Sequence, residues 1–324
     1  MRTLGPILAL WLCTLGPPAA QAAAVDPGLP PYVPQALAGG DQPVLIFGYN
    51  DMKELLEPLV AQFAAAHPGL RLVLDLPGTR FAPAALAAGR SALAPMGAQL
   101  TPAQRQAYLR EAGHEPIEIR VAHASLDPRA LSGPLGIFVH ADNPLAALTL
   151  AQLRRAFSGE IRRWGELGVT GPWAEREVHA IGLQRGTALF FAMRDAVQAS
   201  EAFGAALLGL PQSAQVVEHV GADPLALGFA AAMRLVPGTR RVAVARDAEH
   251  EAVLPTPETI GSGRYPLDRH LLVYARRPLT GFAREFLLLM LSRDGQQAVA
   301  ATPQGYLPLS AAEAAAERAK LDAP

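Results

Sequence analysis

Cysteine is almost missing from this sequence. The only one in 324 residues is Cys13, inside an N-terminal apolar run, "LGPILALWLCTLGPPAA". A chain cleaved after that run has no disulfide, no thiol nucleophile and no thiolate metal ligand, so core burial must stabilise it. Net charge is also nearly missing, at −1, with 18% charged residues. No basic field exists to draw nucleic acid, and any anion must be held by a local site. Metal-ligand spacing is absent too. The eight histidines, His67, His114, His123, His140, His179, His219, His250 and His270, form no HxH or HExxH pattern, so neither metal nor cofactor is expected. There is no G-x-S-x-G elbow, no dinucleotide fingerprint and no Walker loop, which leaves an enzyme without positive support.

The apolar run follows Arg2 and ends in the small residues "AAQAAA". It is too short, and too broken by Pro6, Gly16, Pro17 and Pro18, to span a bilayer. It reads as a cleavable signal peptide over residues 1–23, which places the mature protein in the periplasm or outside the cell. Residues 24–42 are rich in proline and glycine and read as an exposed leader.

Half of the residues are hydrophobic, enough for a large core. Strand and helix patterns alternate from Pro43 onward. "PVLIFGY" is a strand, "MKELLEPLVAQFAAAHPG" a helix with Leu55, Leu59 and Phe63 on one face, and "LRLVLDL" a strand. That is a β-α-β unit with parallel strands. Thr101 and Thr149 stand where helix caps belong. "IEIRVAHA", "GPLGIFVH", "REVHAIGL", "RVAVA" and "HLLVYAR" are further strands, and "SAAEAAAERAKLD" is a terminal helix. The fold class is α/β.

Three strand-to-helix loops carry the candidate chemistry: Gly48, Tyr49, Asn50 and Asp51; Gly78, Thr79 and Arg80; and Arg185, Gly186 and Thr187. Helix N-termini offer free N–H groups and the positive dipole end, and several that converge hold a small oxyanion. Thr79 and Thr187 can donate O–H, and the two arginines can pair with oxyanion edges. Ordinary capping loops with surface arginines would read the same way.

Seven blocks, in order, resemble the phosphate-binding proteins of ABC transporters. The most specific is "GIFVHADNPLAALTLAQLRRAFSGEIRRWGEL"; "LPGTRFAPAALAAGRSALAPM", "AIGLQRGTALFF" and "GADPLALGFAA" support it. The resemblance implies a two-lobe periplasmic binding protein of type 2, with the ligand cleft between the lobes. It assigns residues 43–122 to the first lobe, 123–243 to the second, 244–310 to the first again, and 311–324 to a helical tail. It also implies phosphate or a similar small oxyanion as ligand, an ABC permease as partner, a monomer and no catalysis. A same-fold protein with another ligand or a non-transport role is the alternative, and a phosphoester hydrolase using Asp51 is the second.

The family's loop ligands are replaced here. Tyr49 and Asp51 stand where the first loop keeps Ser and Thr. Ala92 stands at the Asp that accepts the phosphate proton, Ile181 at the anchoring Arg, and Arg185 at the loop Ser. Loss of the proton acceptor weakens discrimination of phosphate from fully deprotonated anions.

Overall fold

The computed structural model describes residues 24–37, 42–199, 203–204 and 207–322. The expected signal segment lies outside the described residues. Among the described residues, no helix is long and apolar enough to cross a membrane.

The first lobe opens with β1 (Val44–Phe47), α1 (Lys53–Ala66), β2 (Leu72–Asp75), α2 (Ala82–Ala87), β3 (Leu93–Met96), α3 (Pro102–Ala112) and β4 (Ile117–His123). The expected periodicity is realised in α1, which buries Leu55, Leu56, Leu59 and Phe63. Thr101 caps α3 in a reciprocal pair with Gln104, as its position predicts.

The second lobe is built from β5 (Leu135–His140), β6 (Ala147–Thr149), α4 (Leu150–Phe157), β7 (His179–Leu183), α5 (Ala188–Ala196), β8 (Leu208–Leu210), α6 (Ser213–Ala222), β9 (Ala226–Ala231), β10 (Thr239–Arg241), β11 (Ala243–Ala245) and α7 (Pro257–Gly261). The chain then returns to the first lobe as β12 (His270–Ala275), α8 (Gly281–Met290), α9 (Arg293–Ala300) and α10 (Ala311–Ala319).

Each lobe has its own five-stranded sheet. The first has the order β2-β1-β3-β12-β4 and the second β10-β5-β9-β7-β8. β1 is parallel to both β2 and β3, while β12 runs antiparallel between β3 and β4. β7 is likewise parallel to β8 and β9. In both sheets the strand that precedes a candidate loop therefore sits where strand order reverses. Open α/β sheets leave a crevice at the carboxyl ends of such strands.

Two segments join the lobes and are bonded to each other. The Ala124 N–H donates to the Arg269 carbonyl, and the Leu135 N–H to that of Leu267. The half-buried Arg269 guanidinium donates to the carbonyls of Gly133 and Gly97, at 3.0 and 2.9 Å. The return crossing comes later than the expected residue 244. Val253, Ile260, Tyr265 and Leu267 all pack in the second lobe's core, and the Tyr265 hydroxyl donates to the Leu135 carbonyl at 2.6 Å. Likewise, β4 keeps His123 in the first sheet, so the second lobe starts near Leu135 rather than at 123.

The proline-rich leader differs from expectation as well. Residues 24–37 form a strap on the first lobe. Leu29 is fully buried in that lobe's core. Glu285, itself buried, accepts from the Tyr32 hydroxyl and the Gln35 N–H. Asp26 accepts from the Ala311 N–H. Prolines forbid a ladder but leave carbonyls and side chains free to bond, and composition cannot show that.

Candidate functional site

The first two loops meet. The Gly78 N–H donates to the Gly48 carbonyl at 2.9 Å, which links the end of β1 to the end of β2. Several expected ligand donors are used inside the lobe: the Gly48 N–H by the Asp75 carbonyl and the Tyr49 N–H by that of Pro95. Tyr49 is buried in the first lobe's core. Its ring covers Gly97, where an added Cβ would lie 2.3 Å from the tyrosine Cε1. Its hydroxyl is 3.1 Å from the Ser132 Oγ, and burial pushes its phenol up to about 12. Tyr49 is thus a wall between the loops and the hinge.

Asp51 is turned inward. Its carboxylate accepts from the Leu131 N–H at 3.0 Å and from the Tyr306 hydroxyl. Burial, then this bond, raise the Tyr306 phenol above its ordinary value. Among the described residues, the hydrogen bonds to the Asp51 carboxylate come from Leu131 and Tyr306. Asn50, Thr79 and Arg80 differ from these neighbours. Asn50 and Arg80 are exposed, Thr79 is half-buried, and among the described residues none has a side-chain hydrogen bond. The Arg80 guanidinium lies 5.5 Å from the centroid of the exposed Phe81 ring.

The third loop follows β7. Gly186 takes φ 97°, a left-handed conformation that glycine allows without strain. Thr187 caps α5: its Oγ1 accepts from the Phe190 N–H and donates to the Gln184 carbonyl. Arg185 bends back onto its own lobe, donating to the Phe203 carbonyl at 3.1 Å and lying 5.4 Å from the Phe190 ring centroid. Ile181, at the family's arginine position, is buried in the second core. Ala92 lies at the start of β3, its N–H donated to the Leu45 carbonyl.

Between the lobes lies a cleft of 880 Å³. The first lobe supplies the 98–101 loop, Arg105, Arg120, His123 and His270; the second supplies the start of α5 at Ala188, with Arg194, Arg246 and Tyr265. None of the ten predicted ligand residues lines it, although Ala188 directly follows Thr187. The cleft occupies the hinge side of Tyr49, since its wall includes Ala98 and Arg269 next to the Gly97 that Tyr49 covers. Arg105 is paired with Glu115 at 2.7 Å. Arg246 is exposed and, among the described residues, has no hydrogen bond or ion pair.

Comparison with known proteins bears on this architecture. The PBP superfamily domain matches residues 33–294, most of the chain. The chain belongs to the PBP superfamily. The phosphate-binding protein PstS of Pseudomonas aeruginosa is 29% identical to this PBP-superfamily chain over 305 residues, 90% of each protein. PstS from Borrelia burgdorferi superposes with a TM-score of 0.56 at 17% identity, over 83% of this chain and all of that one. A putative phosphate ABC transporter substrate-binding protein from Clostridium perfringens, with bound phosphate, gives 0.51 at 20% identity over the same 83% and all of its own length. At such identities the two structures speak to fold alone, and the fold is the two-lobe α/β periplasmic binding architecture.

As a PBP-superfamily protein it has cleft residues that motif reading passed over. Arg246, Arg269 and the His123–His270 pair come from separate strands and crossings, so no local spacing marks them. The only sequence signal was their position at strand ends.

Proposed function

We propose that this chain is an exported solute-binding protein that takes a small oxyanion, phosphate first, between its lobes for an ABC-type permease, and that it acts as a periplasmic monomer. The observation that carries the reading is the placement of the loops after β1 and β7 at the order-reversal points of the two sheets, with the start of α5 opening onto the interlobe cleft. The 29% identity over 90% of a phosphate-binding PstS supports the ligand class. The contacts we assign are the side chains of Asn50, Thr79 and Arg80 in the first lobe, and the backbone at Gly186 and Thr187 in the second. Arg80 replaces Arg185 as the first choice of cation, because Arg185 is already directed at Phe203 and Phe190. Gly48, Tyr49 and Asp51 frame the loop rather than face the anion. Lobe closure brings the two halves together. Against the hydrolase alternative stands the engagement of the Asp51 carboxylate by Tyr306 and Leu131.

Calorimetric titration of ligand-free protein with phosphate and with sulfate tests the reading. The expected result is phosphate binding that Arg80→Ala weakens at least tenfold, about 1.4 kcal/mol. With Ala92 offering no proton acceptor, sulfate should compete. No heat with millimolar phosphate, beside a clear signal from another anion, refutes phosphate as the ligand.

A further inference from the structure

The hinge end of the cleft holds a second group of side chains. β4 ends at His123 and β12 begins at His270, directly opposite in the antiparallel pair. Their ring centroids are 4.8 Å apart. Asp268 comes from the return crossing and Glu313 from the first turn of α10. His123 is almost wholly buried, with Nδ1 at 2.7 Å from Asp268 Oδ2 and Nε2 at 3.3 Å from Glu313 Oε2.

That geometry suits a positive charge between His123 and Glu313: a proton, which despite burial the two carboxylates favour by raising His123 to about 9, or a metal ion in its place. An imidazole whose Nδ1–H is given to Asp268 keeps a lone pair on Nε2. Here that lone pair meets a carboxylate oxygen. Two facing lone pairs repel unless a proton or a metal ion lies between them. His270 supplies a third donor.

We propose that His123, His270 and Glu313 form a binding site for a zinc-class divalent cation at the hinge, with Asp268 orienting His123 from behind. One donor atom from each of the three lies within 4.8 Å of the others. Zinc bonds of about 2.0–2.1 Å in a tetrahedron put neighbouring ligand atoms about 3.3 Å apart. The His123–Glu313 spacing already has that value. A second observation points the same way. Asp268, with a side chain 10% exposed, keeps Oδ1 without any hydrogen bond. A carboxylate that accepts from a histidine Nδ1–H, while the Nε2 faces the ion, is the usual outer support of a metal-bound imidazole. Two imidazoles and a carboxylate suit zinc better than calcium or magnesium, which prefer all-oxygen sets. All four residues line the cleft, which supplies an entry path and an open fourth position. The ligands come from β4, β12 and α10, so a bound ion ties the C-terminal helix to the strands at the lobe crossing.

The test is calorimetric titration of the chelator-treated protein with zinc sulfate, with cobalt(II) absorption reporting coordination geometry. We expect one zinc per chain, a tetrahedral-type cobalt spectrum and a higher melting temperature with zinc. His270→Ala should weaken zinc at least tenfold and abolish the melting shift. His270 makes no hydrogen bond in the His123–Asp268–Glu313 triad, so the triad survives this change; His270→Gln replaces it if the alanine variant fails to fold. Asp268→Asn should weaken zinc 10–100-fold. Absence of uptake at millimolar zinc, or equal uptake by wild type and the His270 variants, overturns the proposal and leaves a proton between His123 and Glu313.

Discussion

Replacing Asp51 by alanine should destabilise the first lobe while leaving anion binding in place. The carboxylate accepts from two donors of unequal weight. Leu131 is exposed, and its N–H can turn to water at little loss. Tyr306 is 1% exposed, and its hydroxyl would lose the acceptor for its proton, keeping only the backbone N–H of Ser132 as a polar neighbour beside Tyr49. A hydrogen bond to a charged acceptor contributes about 1.5–3 kcal/mol, and an unpaired buried donor costs about the same. Asp51→Ala should therefore lower stability by about 1.5–3 kcal/mol. Tyr306→Phe removes the stranded donor, so the double variant should be less destabilised than the sum of the single ones, with a coupling of about 1–2 kcal/mol. Urea unfolding followed by circular dichroism gives all three values, and unchanged slopes would show that only stability moved. A loss below about 0.5 kcal/mol, or simple additivity, would refute the structural role. Phosphate titration closes the argument. An affinity that rises more than tenfold on removing the carboxylate would mean that Asp51 faces the anion after all.

The strap gives two further tests. Leu29→Ala should destabilise by about 2–5 kcal/mol, the range for a fully buried leucine, as read from urea midpoints; a surface-like effect would mean that residues 24–37 do not dock in solution. Asp26 accepts from the N–H groups of Ala311 and Gly28, which holds its carboxyl below the ordinary 3.8. The folded state thus favours the ionised form, so the contribution is present above that value and fades as pH falls through the lower folded one. The protection factor of the Ala311 amide, its exchange relative to the intrinsic rate at each pH, should fall over that acid range in wild type and stay level in Asp26→Asn. Gly97→Ala should cost about 1–3 kcal/mol by forcing the Tyr49 ring out of place; unchanged stability would show that the ring is not held there.

Much of the fold is legible in the sequence because it rests on local periodicity. The one-sided spacing of Leu55, Leu59 and Phe63 makes α1, and Thr101 and Thr149 cap their helices with the side chains that caps require. β9 was not singled out as a strand. "ALGFAA" is buried on both faces, so it has no alternation and few β-branched residues to mark it. The lobe boundary was also misplaced, since Val253 to Leu267 follow a strand yet pack backward onto the second sheet.

The site divides along the same line. The sequence by itself determined that three Gly-containing loops stand between strands and helices, because glycine, threonine and apolar runs act over a few neighbouring residues. It determined as well that no local metal motif is available and that the single cysteine, Cys13, lies within the N-terminal apolar run. Only the tertiary structure decided where the side chains point. It gave Asp51 to Tyr306, Tyr49 to the wall over Gly97, Arg185 to Phe203 and Arg80 to the face of Phe81, with no side-chain hydrogen bond on Arg80 among the described residues. It also brought together His123, Asp268, His270 and Glu313, which lie up to 190 positions apart. Their partnership follows from strand register and the docking of a terminal helix. Contacts that close over such distances leave no spacing in the chain to read.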